Sequence, residues 1–316
     1  MKRSGFTLVE FLVVLGIIGT ILALLVPALR GAAEAARRAQ CLNNLKQTHL
    51  ALQSYHSSHA VFPPGVVDHA RPLDPTVATR RVSWAAMILP WTEQQAVYNA
   101  INFEVASTDP GNLTARRVRI SMWLCPDSSP EGAAWSQGWA SWFRPATAES
   151  EIGPSSYAAC HNDVEKVIDA DDHGVLFLNS RVRAADVLDG LSQTIFVGEV
   201  FQPSADGWFV GGRSTLRNTG AAINGLDVAA LGEVANSDAW RGSARTPAAL
   251  ESLAASGEVD LPPAYVGGFG SRHRGGGALF AFGDGSARFV RQSIDPAVYR
   301  RLGDRDDGEE VDGDAY

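Results

Sequence analysis

The chain has 316 residues, 45% hydrophobic and 20% charged, the proportions of an ordinary globular protein. Its 35 carboxylates outnumber 27 lysines and arginines, giving a formal net charge of −8, and an acidic body argues against nucleic acid as a partner. The three cysteines form no Cys-x-x-Cys pair, which argues against a cysteine-based zinc site.

Residues 1–5 read Met-Lys-Arg-Ser-Gly, a short basic leader ending in Gly5. An apolar run follows from Phe6 to Leu29, with Glu10 as its only charge. A helix over that run would rise roughly 36 Å, enough to cross a hydrocarbon core of about 30 Å. A secretory signal peptide would need a shorter apolar region with a small-residue cleavage site after it, whereas Gly5 precedes the run. A carboxylate in lipid costs at least a few kcal/mol, so Glu10 reads as a residue in use. Lys2 and Arg3 before the run compete with Arg30, Arg37 and Arg38 beyond it, so charge alone leaves the orientation open.

From Arg30 to about Ser58 the composition favours helix, and Cys41, Leu42, Leu45, Leu52 and Tyr55 recur at three- and four-residue spacing. Phe62-Pro63-Pro64-Gly65 is a stop signal. One helix is therefore expected from the membrane to about residue 58, with its second half packing an apolar stripe on a globular domain. His49, His56 and His59 fall on roughly one side of it, where they read as junction residues bonded to backbone or water, with a metal site as the sharper alternative.

Roughly 250 residues remain beyond the helix, enough for one large domain or two small ones. Residues 82–98 predict a strand and then a helix after Pro90; 117–124, 174–178 and 194–200 predict strands. Residues 128–156 form an irregular insertion with Trp135, Trp139 and Trp142, and 202–262 read as long loops. Ala278–Phe282 and Ser286–Val290 predict a β-hairpin closed by Gly283-Asp284-Gly285. Cys125 and Cys160 both fall in this outer domain and are the candidate disulfide of an oxidising compartment, leaving Cys41 as a lone buried thiol on the helix stripe. Residues 304–316 are acid-rich without the spacing of an EF-hand loop, so they read as a solvated tail rather than a calcium site. No Gly-x-Ser-x-Gly, His-Glu-x-x-His, P-loop or dinucleotide fingerprint occurs; no enzyme activity, cofactor or metal is expected.

The string Gly5-Phe6-Thr7-Leu8-Val9-Glu10 resembles the cleavage and methylation signature of type IV prepilins and type II secretion pseudopilins. The resemblance implies that a prepilin peptidase cuts after Gly5, that Phe6 becomes the N-methylated terminus, and that Glu10 registers subunits by pairing with a neighbour's terminal amine. It also places the leader in the cytoplasm and the bulk in the periplasm or at the cell surface, on a single-pass inner-membrane helix; Pro27 sits where such helices carry a kink-forming proline.

A second resemblance is to a large, functionally uncharacterised family of prepilin-like proteins whose C-terminal signature is a histidine, nine residues, then Asp-Gly. Here that signature is His273 with Asp284-Gly285, separated by ten residues because of an extra glycine in Gly275-Gly276-Gly277. Cys41 to Gln47, Tyr55-His56, Phe62 to Gly65, Leu124-Cys125-Pro126, Asp189 to Ile195, Gly198-Glu199 and the segment from Arg301 are similar to the same family. The hairpin reads as structural, Asp284 holding the turn and His273 clamping the glycine loop before it.

The expected fold is therefore α+β: a long N-terminal membrane-spanning helix packed on an extracytoplasmic, mainly antiparallel β domain. The expected divisions are 1–5 leader, 6–29 transmembrane, 30–58 helix continuation, 59–290 domain, and 291–316 short helix with acidic tail. The resemblance implies a structural component of a type II secretion or type IV pilus-like assembly. Its expected partners are prepilin peptidase, other pilin-like subunits or itself, and membrane lipid. The alternative is a pilin-anchored surface module binding polysaccharide.

Overall fold

The computed structural model describes residues 8–74, 79–127, 152–200, 207–225, 243, 262, 265–309, 311 and 313. Gly5, Phe6, the insertion carrying Trp135, Trp139 and Trp142, and most of 202–262 lie outside the described residues. The fold is α+β, a long apolar N-terminal helix followed by a mixed helix and sheet domain.

Helix α1 runs from Leu8 to His59, 52 residues or about 78 Å at ~1.5 Å each. Its segment Leu8–Leu25 is long and apolar enough to cross a membrane, and none of its residues is buried. Nothing lies within 4 Å of a Cβ built on Gly16 or Gly19. The lower half behaves oppositely: Cys41, Leu45, Thr48, His49, Ala51 and Leu52 are all buried. These residues recur every three to four positions, the periodicity that lets one face of a helix pack while the other meets water.

That face lies on a five-stranded sheet of order β5-β3-β4-β6-β7, where β3 is Tyr157–Asn162, β4 Ile195–Glu199, β5 Leu216–Asn218, β6 Gly277–Phe282 and β7 Ala287–Arg291. Pairing is antiparallel except between β3 and β5. Successive residues of a strand point to opposite faces. Tyr157, Ala159, Leu279 and Ala281 accordingly join the core under α1, whereas Ala158, Cys160, Ala278, Phe280 and Phe282 join a second core on the other face. The short helix α5 (Pro296–Arg301) closes that second face, with Tyr299 edge-on to Phe280 at 6.0 Å. The central strands are thus buried on both sides, which explains their continuous apolar sequence.

A small ribbon, β1 (Val66–Val67) with β2 (Val82–Ser83), and the helices α2 (Trp84–Met87), α3 (Gln95–Asn99) and α4 (Leu113–Arg116) extend the core beside α1. Trp84 anchors this region, packing on Trp123 at 5.5 Å and donating its indole N–H to the Thr215 carbonyl at 2.8 Å.

The expected hairpin is present as β6–β7, with the register Ala281↔Ala287. Asp284 Oδ1 accepts from the Ser286 amide at 2.8 Å, as a turn holder should, and Gly285 takes φ +88°, which glycine adopts without strain. Three expected elements differ. Residues 117–124 hold a 3-10 turn at Ser121–Trp123 rather than a strand, because the chain curls to seat Trp123 beneath Trp84. Residues 174–178 make backbone bonds from Gly174 and Leu176 to β3 carbonyls and a bridge from Leu178 to Val66, too discontinuous for a strand. The acidic tail is docked over its first part. Ile195 donates to the Leu302 carbonyl, Asp189 accepts from the amides of Asp307 and Gly308, and Val311 is buried while its amide donates to Gln193.

Candidate functional site

The polar centre of the molecule lies where α1 meets the sheet. It is built from four distant stretches: α1, the segment after Trp123, the end of β4, and the loop before β6. His273 stands in the middle. Its Nε2 is 3.0 Å from Glu199 Oε1, and its Nδ1 is 2.8 Å from Asp127 Oδ2, an ion pair not aligned as a hydrogen bond. Cys125 Sγ lies 3.8 Å from the same Nε2.

Glu199 is fully buried, and its second oxygen accepts from the Leu279 amide at 2.9 Å. A register shift between Ile195 and Val197 sets which face of β4 each later residue presents. A β-carbon on the adjacent Gly198 would stand 2.5 Å from the Phe280 ring and 2.7 Å from Phe269, so only glycine lets those rings close over the strand.

Asp127 also faces α1, accepting from Arg37 Nε at 3.0 Å. Further contacts follow the same helix face. Arg274 pairs with Glu34 at 3.1 Å, the Arg38 guanidinium lies 3.8 Å over the Phe289 ring, and Asn44 donates to the Leu124 carbonyl at 2.9 Å. Tyr157 donates from its hydroxyl to the Cys41 carbonyl at 3.3 Å, and Gln53 donates to the Gly283 carbonyl at 3.1 Å. Exposed pairs such as Arg274–Glu34 are worth at most about 1 kcal/mol each. The covalent link described next sets the strength of the joint, and the buried His273–Glu199 pair holds together the domain side of it.

The covalent link corrects an expectation. Cys41 is bonded to Cys125, and Cys160 is the free thiol. The strand period explains it: Cys160 points to the sheet face away from α1, where burial pushes its thiol pKa far above the usual range, while Cys41 and Cys125 share the other face. The two signature residues, His273 and Asp284, do not meet. The two residues bracket β6, whose six residues at ~3.4 Å each put them about 20 Å apart. Asp284 stays with its turn and with Arg288, and His273 turns to Glu199 and Asp127.

The other sequence histidines part company. His49 is buried against Phe196 and beside Gly285; His56 Nε2 accepts from the Ala184 amide at 3.3 Å; His59 stacks on Tyr55 at 4.1 Å. They form no common site. Two groups of described residues do bring ligand-type atoms within 4.8 Å of one another: Cys41, Cys125, Glu199 and His273, and, on the far side, Asp163, His173 and Asp304. Arg300 already approaches Asp163 at 3.4 Å in the latter. A second buried pair on β3, His161 with Asp172 at 2.7 Å, is joined at the same carboxylate by Lys166 at 3.1 Å. Sequence reasoning missed Asp127 and Glu199 as partners of His273; the signal was present in the strings Leu124-Cys125-Pro126 and Gly198-Glu199, which both converge on this ring.

Burial disfavours the His273 imidazolium, but the hydrogen bond to Glu199 and the charges of Glu199 and Asp127 outweigh it, raising the pKa above its ordinary value of 6.5. A raised histidine stabilises the fold fully below its unfolded pKa, and the contribution is lost as pH rises through the folded pKa. His49 is shifted the other way, by burial opposed by Asp284, so its contribution is present at high pH and lost as pH falls. Comparing wild type with His273→Gln cancels the His49 effect. The difference in thermal midpoint should shrink as pH rises above about 6.5; a difference constant with pH would remove the charged histidine from the joint.

Two family models match the chain. One, described as a protein of unknown function (DUF1559), covers residues 30–297; the other, the prokaryotic N-terminal methylation motif, covers residues 1–26. Neither the curated proteins nor the solved structures yield a match.

Proposed function

This chain belongs to the DUF1559 family and opens with the prokaryotic N-terminal methylation motif, and we propose on that footing that it is a pseudopilin-like structural subunit of a type II secretion or type IV pilus-like assembly. The N-terminal motif implies processing by a prepilin peptidase, and the apolar helix fits a single-pass membrane anchor. The observation that carries the finer reading is the division of α1. Its lower half is fastened to the domain by the Cys41–Cys125 disulfide and the Arg37–Asp127 ion pair, while no residue of Leu8–Leu25 is buried. A bare apolar helix some 27 Å long on a tightly fastened body suits a part that is held in lipid and then packed among like helices.

In this reading the peptidase cuts between Gly5 and Phe6, Phe6 is methylated, and the domain lies in the periplasm or at the cell surface. The divisions are then leader 1–5, membrane span 6–29, helix continuation 30–58, domain 59–290 and C-terminal segment 291–316. Glu10 lies in the first turn of α1, where a carboxylate meets a neighbour's terminal ammonium at low dielectric. Replacing Gly5 by a large residue should leave a heavier, unprocessed chain. Intact Met1 in mature wild-type protein by mass spectrometry would remove the processing step. Glu10→Ala should abolish cross-linking to pilin-like partners while the chain still fractionates with membranes; the same cross-linked partners with and without Glu10 would defeat the assembly role.

A further inference from the structure

We propose that the reduced form of the α1 joint is a zinc site, in which Cys41, Cys125, His273 and Glu199 bind one Zn(II) in place of the disulfide. The four ligand atoms already lie within 4.8 Å of one another, and all four residues are buried. A tetrahedral zinc with bonds of about 2.3 Å to sulfur and about 2.0–2.2 Å to nitrogen or oxygen holds its ligands roughly 3.3–3.8 Å apart. Cys125 Sγ is 3.8 Å from His273 Nε2, and that nitrogen is 3.0 Å from Glu199 Oε1. The two sulfurs must part, which reduction permits, the His273 nitrogen and Glu199 oxygen must open by a few tenths of an ångström, and the remaining pairs already lie within 4.8 Å.

The surroundings are those of a built metal site. His273 turns Nε2 to the centre, with Asp127 Oδ2 2.8 Å from Nδ1 on the other side of the ring, and Arg37 fixes Asp127 in turn. A ligating histidine steadied by a carboxylate on its other nitrogen is the usual outer shell of zinc. Glu199 is aimed by the Leu279 amide at its second oxygen. The ligands come from α1, a loop, β4 and the loop before β6, at sequence separations of at least 74 between successive members, so no short cysteine motif announces them.

The exchange balances. A dithiol reductant passes two electrons and two protons to the Cys41–Cys125 bond and is itself oxidised to a disulfide. The two thiols and the His273 imidazolium then release their protons to solvent as zinc binds the thiolates and the freed Nε2. A sulfur in a disulfide is not an anionic ligand, so covalent link and metal exclude each other. The joint is closed in either state, by a bond in an oxidising compartment and by the ion in a reducing one.

The experiment uses the full chain in detergent, reduced with a phosphine, stripped of metal and titrated with Co(II) under anaerobic conditions. One equivalent should bind, with a thiolate-to-cobalt charge-transfer band and the visible bands of a tetrahedral centre, and Zn(II) should displace it. The oxidised chain and the Cys41→Ser/Cys125→Ser double variant should show no such band. Asp127→Asn, a positioning change, should weaken cobalt about 10–100-fold without altering the spectrum. Absence of the charge-transfer band in the reduced wild type overturns the proposal, as does equal affinity in the double variant. The wild-type spectrum decides the matter even if a variant fails to fold.

Discussion

Glu199→Ala is expected to destabilise the folded chain by about 3–5 kcal/mol, the cost of removing one partner from a buried charged pair. Glu199 is fully buried and serves two donors, the His273 ring and the Leu279 amide. Alanine leaves the amide without an acceptor between β4 and β6 and leaves His273 with Asp127 as its only counter-charge in this pocket. Glu199→Gln keeps an acceptor of the same shape and should cost distinctly less. Thermal unfolding of both variants by near-ultraviolet circular dichroism measures the difference. A loss below about 1 kcal/mol for the alanine variant would show that the buried cluster contributes no more than a surface pair.

Breaking the Cys41–Cys125 bond comes next in size. It closes a loop over a sequence separation of 84, and a loop of that length restricts the unfolded chain enough to stabilise the fold by about 2–5 kcal/mol. The Cys41→Ser/Cys125→Ser variant should lose that amount in denaturant unfolding, measured with no metal present. The pairing has its own check. Alkylation of the denatured, unreduced chain should label a single cysteine, Cys160; label on Cys41 or Cys125 would refute the assignment.

The legible and illegible parts of the sequence divide by the range of the interaction. The end of α1 at the Phe62-Pro63-Pro64 stop and the β6–β7 hairpin are local: apolar spacing, a proline and a glycine suffice to place them. The strand β4 is legible for the same reason, four apolar or small residues after a turn. The segment 117–124 was not, because seating Trp123 beneath Trp84 overrides the extended preference of its neighbours. The pairing of Cys160 is illegible because two cysteines in one domain need not share a face: a single step along β3 separates Ala159 from Cys160 by the thickness of the sheet. The partners of His273 were hidden more deeply. They depend on β4 lying beside β6 and on α1 covering both, a tertiary arrangement that no spacing within 266–290 can express.

The fastening of α1 also sets a rotational phase. Contacts from Glu34 to Gln53 fix which side of the helix carries the domain, and the same continuous helix extends up to Leu8. Each residue advances an α-helix by 100° and about 1.5 Å. One residue inserted between Leu25 and Glu34 would therefore swing the whole domain by about a quarter-turn about the helix axis, while lifting it by less than the width of an atom. Whatever surface the uncovered half offers, the azimuth at which the domain hangs from it is counted out in residues along α1.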